Sequence, residues 1–505
     1  MASPNRYVAG SDFYNYDMYG GLRAGGLVRF FSVEFVGLGA ATFTSSCVYI
    51  GARYGLLPLV SGELRLTEAQ TEAMDRLVEV PVAMAFFVGL YADTVPLWGS
   101  RRKSYMLLGM LLSLLCLAGI GLGCLFADAL ESAMGNSFSY IMMLLMGGVS
   151  FGSMINFCTV HTAVVTLSQR ESLERRGVFQ ADYLVVRAAG QVSARLLIYL
   201  IQNVIEKKEI ALVLLALMLV SIATICVVVL GLDEPPAFRQ ESLRCKCESY
   251  WKLTKQKVVW RILVVVASFA FFLNFGFPLV TEALRQWTDT TDTASALLSS
   301  SLNDLVMILT VLVWRWRLRN VLWKKLFAVA PIMTVAPQAL MALLVIPALY
   351  RNAGVYTVLT GATGVSTGIM ALLLLVPVTE IIEEGSEGGV VGLALSFNTI
   401  FKVFVSTLLT TIQRASYFPS DIDAESANTT GRRWSIAVLE VVTCCVNSLA
   451  LTVIPILPLQ KLDAQFIRMY GGFTDSAGAL TAAAFLTSLA YCVAYNIYIF
   501  SVAID

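Results

Sequence analysis

Long, unbroken apolar runs constrain this chain more than any other feature. Met106 to Phe126 and Ile210 to Leu232 each approach the roughly 20 residues a helix needs to cross a bilayer, and similar runs recur between short charged loops. In lipid the backbone must satisfy itself, which leaves helices or closed barrels. Barrel strands would alternate over short segments, and these runs do not, so the spans are helical. Composition agrees: 57% of residues are hydrophobic and 14% charged, against about 45–50% and about 25% in ordinary soluble domains. The formal net charge of +1 excludes a nucleic-acid partner held by bulk charge, and the apolar content excludes disorder. Most of the ten cysteines lie in apolar runs, where the thiol behaves as a small hydrophobe. Cys245 and Cys247 share a basic loop, but one histidine in the whole chain assembles no zinc spacing. No metal, no cofactor and no structural disulfide is expected. Met1 to Gly26 has no early apolar region and is not a cleaved signal peptide.

The runs predict spans at 29–58, 69–92, 104–126, 137–168, 177–203 and 209–232, then at 258–284, 293–314, 322–350, 353–382, 388–413 and 434–458, with a last apolar segment near 476–502. This divides the chain into an N-terminal segment (1–28), a six-helix half (29–232), a linker (233–257), a second six-helix half (258–458) and a C-terminal extension (459–505). The fold class is an all-α polytopic membrane protein. Every even-numbered loop up to span eight is basic: Arg101 to Lys103, then Arg170, Arg175 and Arg176, then the linker, then Arg315 to Lys325. The intervening loops are acidic or sparse, so the basic side and the N-terminus are expected to be cytoplasmic. Asn428-Thr429-Thr430, a glycosylation pattern in an acidic loop, falls on the other side by this count. Two six-helix halves about a basic linker suit a solute site near the midplane. Gly147, Gly148, Gly152 and Ser153 in span four, and Gly361, Gly364 and Gly368 in span ten, read as close-packing faces.

The segment from Phe86 to Met106, with Asp93, Pro96, Gly99, Arg101, Arg102 and Tyr105, resembles the loop after helix two of the folate–biopterin (pteridine) transporters, a branch of the major facilitator superfamily. Three further segments are similar to that family: Gln169 to Gln180 leading to Tyr183 and Arg187; Glu384-Gly385-Ser386-Glu387-Gly388 running into Asn398; and Leu457 to Gln465 with Tyr470-Gly471-Gly472, which resembles its protist branch. The resemblance implies a major facilitator-type fold and an alternating-access transporter, in which Asp93 with Arg101 or Arg102, and Glu384 and Glu387, form a conformational latch. One departure stands out. The family carries two acids at the end of helix four, where this chain has His161 and Thr166, which separates substrate identity from family membership.

Ionisable groups inside spans cost about 2.5–3.5 kcal/mol each on insertion scales, so each needs a partner or a task. Arg187 and Arg195 are offset by about 80° and about 12 Å along one helix, with Gln191 between them. They can face one cavity, where arginine forks would hold the carboxylates of a folate-like solute; pairing with Asp182 or Glu34 is the plain alternative. Asn398 and Lys402 lie one turn apart on span eleven and can face that cavity too. His161, the only histidine, is a further substrate-binding candidate. Glu34 and Asp304 are candidates for proton coupling. The expected function is secondary active transport of a pteridine- or folate-class solute, probed by folate or biopterin, in a plasma membrane and surrounded by lipid. A carrier of S-adenosylmethionine or another polar solute on the same fold stays open, as does a transporter-like receptor. An enzyme is not expected, for want of a catalytic histidine cluster, nucleotide loop or metal site.

Overall fold

The computed structural model describes residues 20–26, 28–204, 210–236, 242–414 and 429–502. Every regular element among them is helical. Twelve helices are long and apolar enough to cross a membrane: α1 (Val33–Glu63), α2 (Glu68–Thr94), α3 (Lys103–Leu125), α4 (Ser137–Ser168), α5 (Val178–Gln202), α6 (Ile210–Gly231), α8 (Thr293–Leu318), α9 (Trp323–Val345), α10 (Ala353–Ile381), α11 (Glu387–Arg414), α12 (Thr430–Ile456) and α13 (Asp475–Val502). Between α6 and α8 lies α7, which is where the structure departs from the sequence reading. The span expected to be continuous over 258–284 is two helices, Lys257–Phe272 and Pro278–Trp287. Pro278 lacks an N–H and pushes Phe277 into extended backbone at φ −68° and ψ 125°, so the first helix cannot run through.

The glycine faces do close-pack. A Cβ at Gly109 or Gly152 would strike the backbone of the other's helix, so α3 and α4 touch there, and one at Gly364 would strike the Asn303 carbonyl of α8. Irregular turns re-aim polar residues inward. In α1 the Leu57 N–H bonds to the Ala52 carbonyl, five residues back, making a wide turn over Ala52–Leu56 directly before Pro58. That turn holds Arg53 and Tyr54, and such bulges recur at functional sites.

Burial shows how the two halves meet. At the end that carries the basic loops, residues of both halves share one apolar core, from Ala85, Met106 and Phe179 to Phe269, Phe327 and Leu395. At the opposite end each half has its own core. Leu56, Met74, Met142 and Leu217 belong to one, and Leu279, Val345, Val405 and Leu439 to the other. The apolar core is therefore shared at the basic end and divided at the far end, where Arg76 of α2 still donates to Ser406 and Thr410 of α11 at 3.1 and 2.5 Å. One further helix crosses the seam. α13 begins beside Lys255, whose Nζ lies 3.0 Å from the Asp475 carboxylate. It reaches the far end of α2, where Gln70 Nε2 donates to the Phe500 carbonyl at 3.3 Å. Along the way Asn496 Nδ2 donates to Thr407 Oγ1 of α11 at 2.9 Å. It traverses the bundle rather than lying across its face.

Candidate functional site

Three layers of polar residues cross the apolar bundle. The first closes the basic end. Gly89 and Gly388 have no room for a side chain because the backbones of α2 and α11 touch there. That contact brings Asp93, at the end of α2, to the first turn of α11, where Gly389 N–H donates to its carboxylate at 2.9 Å. Arg102 Nη2 donates to the same carboxylate at 2.9 Å and lies 3.3 Å from Glu387. Tyr250, on the linker helix Leu243–Lys255, donates to Asp93 at 2.5 Å. Burial opposes charge on Arg102, yet the carboxylates of Asp93 and Glu387 outweigh it and hold the guanidinium above its ordinary pKa. Burial and the neighbouring Asp93 push the Tyr250 phenol up. Asp93, Arg102 and Glu387, all expected latch residues, therefore meet in one cluster. Arg101 contributes its backbone N–H to Glu234, whose carboxylate also takes those of Arg102 and Lys103 at 2.8–2.9 Å. Glu384 is exposed and stands outside the cluster.

Sequence reasoning missed the rest of this layer. Arg23 reaches over the seam to pair with Glu387, while Leu22 N–H donates to the Gln169 carbonyl at 2.9 Å. Buried Arg176 of the α4–α5 loop pairs with buried Glu380 of α10 at 2.6 Å, and Gln465 Nε2 donates to the same carboxylate at 2.6 Å. Lys461, which opens the amphipathic helix Lys461–Tyr470, donates to the Leu173 and Arg176 carbonyls at 3.1 and 3.0 Å. Its burial lowers the ammonium pKa to about 8.

The second layer is a belt of ion pairs near the middle of the spans. Arg53 grips Asp75 with two bonds of 2.8 and 2.6 Å and lies 2.9 Å from Glu79. Glu79 in turn receives Lys402 of α11 at 3.0 Å, a contact between the halves. Arg195 pairs with Asp304 of α8, a second such contact, and its guanidinium lies 5.2 Å from the Tyr54 ring centroid. So Arg195 and Asp304, and Lys402 on its own account, are satisfied by protein carboxylates or cations, not left free. Arg53, Asp75 and Glu79 were not foreseen, although a signal existed: Glu72, Asp75, Arg76 and Glu79 recur at helical spacing on one face of α2. Neither alternative partner expected for the α5 arginines serves them. Asp182 takes Arg315 at 3.1 Å, and Glu34 sits exposed in the turn Val33–Phe35 at the basic edge, away from the interior. That position removes the basis for placing Glu34 at a buried coupling site.

The third layer lies between belt and closure. Arg187 stacks over Phe157 of α4 at 4.2 Å, and no Asp or Glu among the described residues lies within ion-pair distance of it. Beside them the buried His161 Nδ1 and Tyr183 Oη are 3.3 Å apart, with edge-on ring contacts from His161 to both Phe157 and Tyr183. Gln191 and Asn398 are half-buried. The belt neutralises itself: Asp75, Glu79 and Asp304 answer Arg53, Lys402 and Arg195. Arg187 is the positive charge this arrangement leaves over, set among aromatic rings. Asn428 lies outside the described residues.

Known proteins resemble this architecture. A bacterial homologue of the iron transporter ferroportin, solved in an outward-facing state, superposes with a TM-score of 0.56 at 15% identity, covering 84% of this chain and 98% of that one. A major facilitator superfamily proton:xylose symporter bound to 6-bromo-6-deoxy-D-glucose gives 0.57 at 12% identity, covering 82% and 94%. At such identities the likeness establishes the fold, that of the major facilitator superfamily. No curated protein sequence matches the chain. A family model does match, over residues 52–466, which takes in all three polar layers except the N-terminal strap at Arg23. By that match the chain belongs to the BT1 family.

Proposed function

We propose that this membrane transporter carries a pteridine- or folate-class organic anion by alternating access, its two six-helix halves (29–232 and 258–458) rocking about the central site, with proton coupling. The carrying observation is Arg187, stacked on Phe157 and without a carboxylate among the described residues. A guanidinium answers a solute carboxylate, and the rings of Phe157, Tyr183 and His161 suit a flat heterocycle. Gln191 and Asn398 would add hydrogen bonds, and Lys402 and Arg195 would reorganise around the bound solute. Asp304, held by Arg195 across the seam, is the proton acceptor of this reading: neutralising it frees the halves to separate there. Asp93, Arg102 and Glu387 form the latch of the closed basic end. With that end cytoplasmic in a plasma membrane, the far end faces outward and Asn428 is a glycosylation site. S-adenosylmethionine, a cation, would need a carboxylate beside the rings of Phe157 and Tyr183, whereas Asp75, Glu79 and Asp304 all carry partners and the buried Glu440 lies on α12 against α7 and α9; the anion is therefore preferred.

Uptake of radiolabelled folate, biopterin and S-adenosylmethionine into vesicles bearing the chain, at two external pH values, tests this. Folate or biopterin should accumulate faster at the lower pH. Arg187→Ala should cut folate uptake at least about tenfold with surface expression unchanged, each tenfold corresponding to about 1.4 kcal/mol. Wild-type uptake by this variant removes Arg187 from the site. Accumulation of S-adenosylmethionine alone overturns the substrate class, and saturable binding without uptake makes the chain a receptor.

A further inference from the structure

On the outer surface of the second half, spans α8, α9 and α10 leave a groove between them. Its volume is about 310 Å³. Trp314 and Leu318 of α8 and Leu326 of α9 line it near the basic end, and Val306 of α8 with Val365 and Ile369 of α10 line it toward the midplane. Thr310 is the one polar residue of the lining, and its hydroxyl is spent on the Val306 carbonyl at 2.8 Å. Beyond that hydroxyl and the indole N–H of Trp314, the groove offers no side-chain donor or acceptor. Its occupant must be apolar where it enters.

Length and direction narrow the occupant. From Val306 to Leu318 the helix rises about 18 Å, and one leaflet of hydrocarbon is about 15 Å deep. The slot thus runs along the membrane normal for about the depth of one acyl chain and opens at the headgroup level of the basic end. A second transmembrane helix, about 10 Å across with its side chains, would demand a broader trough. At the mouth stand Arg317, adjacent to Leu318, and Lys325, adjacent to Leu326. Both are exposed, and neither side chain has an ion pair or hydrogen bond among the described residues. By contrast Arg315, two residues before Arg317, is taken by Asp182. Trp316, 66% exposed between the two arginines, is the residue type that settles at the headgroup boundary. The five residues Trp314–Leu318 form a wide turn, which alters the helical register at the mouth.

We infer that this groove is a binding site for an anionic phospholipid of the basic-side leaflet, with one acyl chain between α8, α9 and α10 and the phosphate held by Arg317 and Lys325. Basic clusters between spans hold acidic headgroups in this way, each Lys or Arg near the surface being worth roughly a fivefold gain in affinity. The site lies on the opposite side of α8 from Asp304, which faces Arg195, so it is separate from the solute cleft. Its claim does not depend on which solute is carried.

The full chain, purified in a neutral detergent, would be titrated with phosphatidylglycerol and with phosphatidylcholine of identical acyl chains, and the lipid-bound fraction read by native mass spectrometry. One phosphatidylglycerol should bind at least about tenfold more tightly than phosphatidylcholine. The R317Q/K325Q variant should bring the two lipids level. Val329→Trp, which fills the groove from α9, should weaken both. Equal affinity of the wild type for the two lipids, or unchanged binding in R317Q/K325Q, overturns the headgroup site. Undiminished binding in Val329→Trp overturns the acyl slot. Should that variant fail to fold, brominated-chain phosphatidylglycerol added to the wild type must quench tryptophan fluorescence, and Trp314→Phe must lower the quenched fraction; no quenching also overturns the slot.

Discussion

Two buried charges at the joined end carry opposite consequences. Arg176 and Glu380 are both almost wholly inaccessible and satisfy each other. Removing one partner of such a pair strands the other, at a cost of about 3–5 kcal/mol, whereas replacing both by apolar residues of similar size is often neutral. Arg176→Met should therefore lower the thermal midpoint in detergent sharply, and the R176M/E380M double variant should recover most of the loss; a double variant as weak as the single one would contradict this. Lys461 behaves otherwise. Its burial lowers the pKa to about 8 from an ordinary 10.5, so the folded state disfavours the proton that the unfolded state keeps. The destabilising burden of that charge is present below about pH 8, and stability rises as pH climbs from there toward 10.5. Melting curves across that window should show the rise in the wild type and a flatter slope in Lys461→Met. The Asp93–Arg102 pair was legible from sequence because its members lie only nine positions apart, across one short loop. The third member, Glu387, is brought in from the other half of the chain, and no local pattern announces a contact of that range.

At the scale of elements, the touch of α2 on α11 depends on absent side chains. A Cβ at Gly89 would enter the Gly388 carbonyl, so Gly89→Ala must push the helices apart, and overpacking of this kind costs about 1–3 kcal/mol. Hydrogen–deuterium exchange of the segment 386–392 should speed up in that variant, because the Gly389 N–H loses its hold on Asp93; unchanged exchange would mean that the joined end does not rely on this contact. Long apolar runs made the helices themselves readable. Hydropathy averages over a window, however, and so passed over the break in α7, although Pro278 was in plain view. The same averaging hid the charges of α2. A span tolerates Glu72, Asp75, Arg76 and Glu79 because Glu72 and Arg76 pair along α2 itself while Asp75, Arg76 and Glu79 find partners on α1 and α11, and those distant partners are fixed only by the tertiary fold. Likewise Arg195 and Asp304 were both visible as intramembrane charges, but their union across the seam was not.

The molecule as a whole shares its apolar core at one end and divides it at the other, with ion pairs between its halves at two depths. Arg102 ties α2 to α11 at the joined end, and Lys402 with Glu79 ties them again near the middle. Arg102→Ala should shift the population toward a basic end that opens, seen as a longer mean distance between spin labels placed on the α2–α3 loop and the α10–α11 loop; an unaltered distance distribution would show that Arg23, Tyr250 and the apolar core suffice to hold it. Residues 20–26 lie against the basic end through Gln169 and Arg176, whereas Phe500 at the tail of α13 lies against Gln70 at the far end. Counted together, the broken α7 and the twelve long helices make thirteen crossings among the described residues, and that odd parity gives Gly20 and Val502 different neighbourhoods. A reporter fused ahead of Gly20 and one fused behind Val502 would sample separate compartments, whichever way round the protein is inserted.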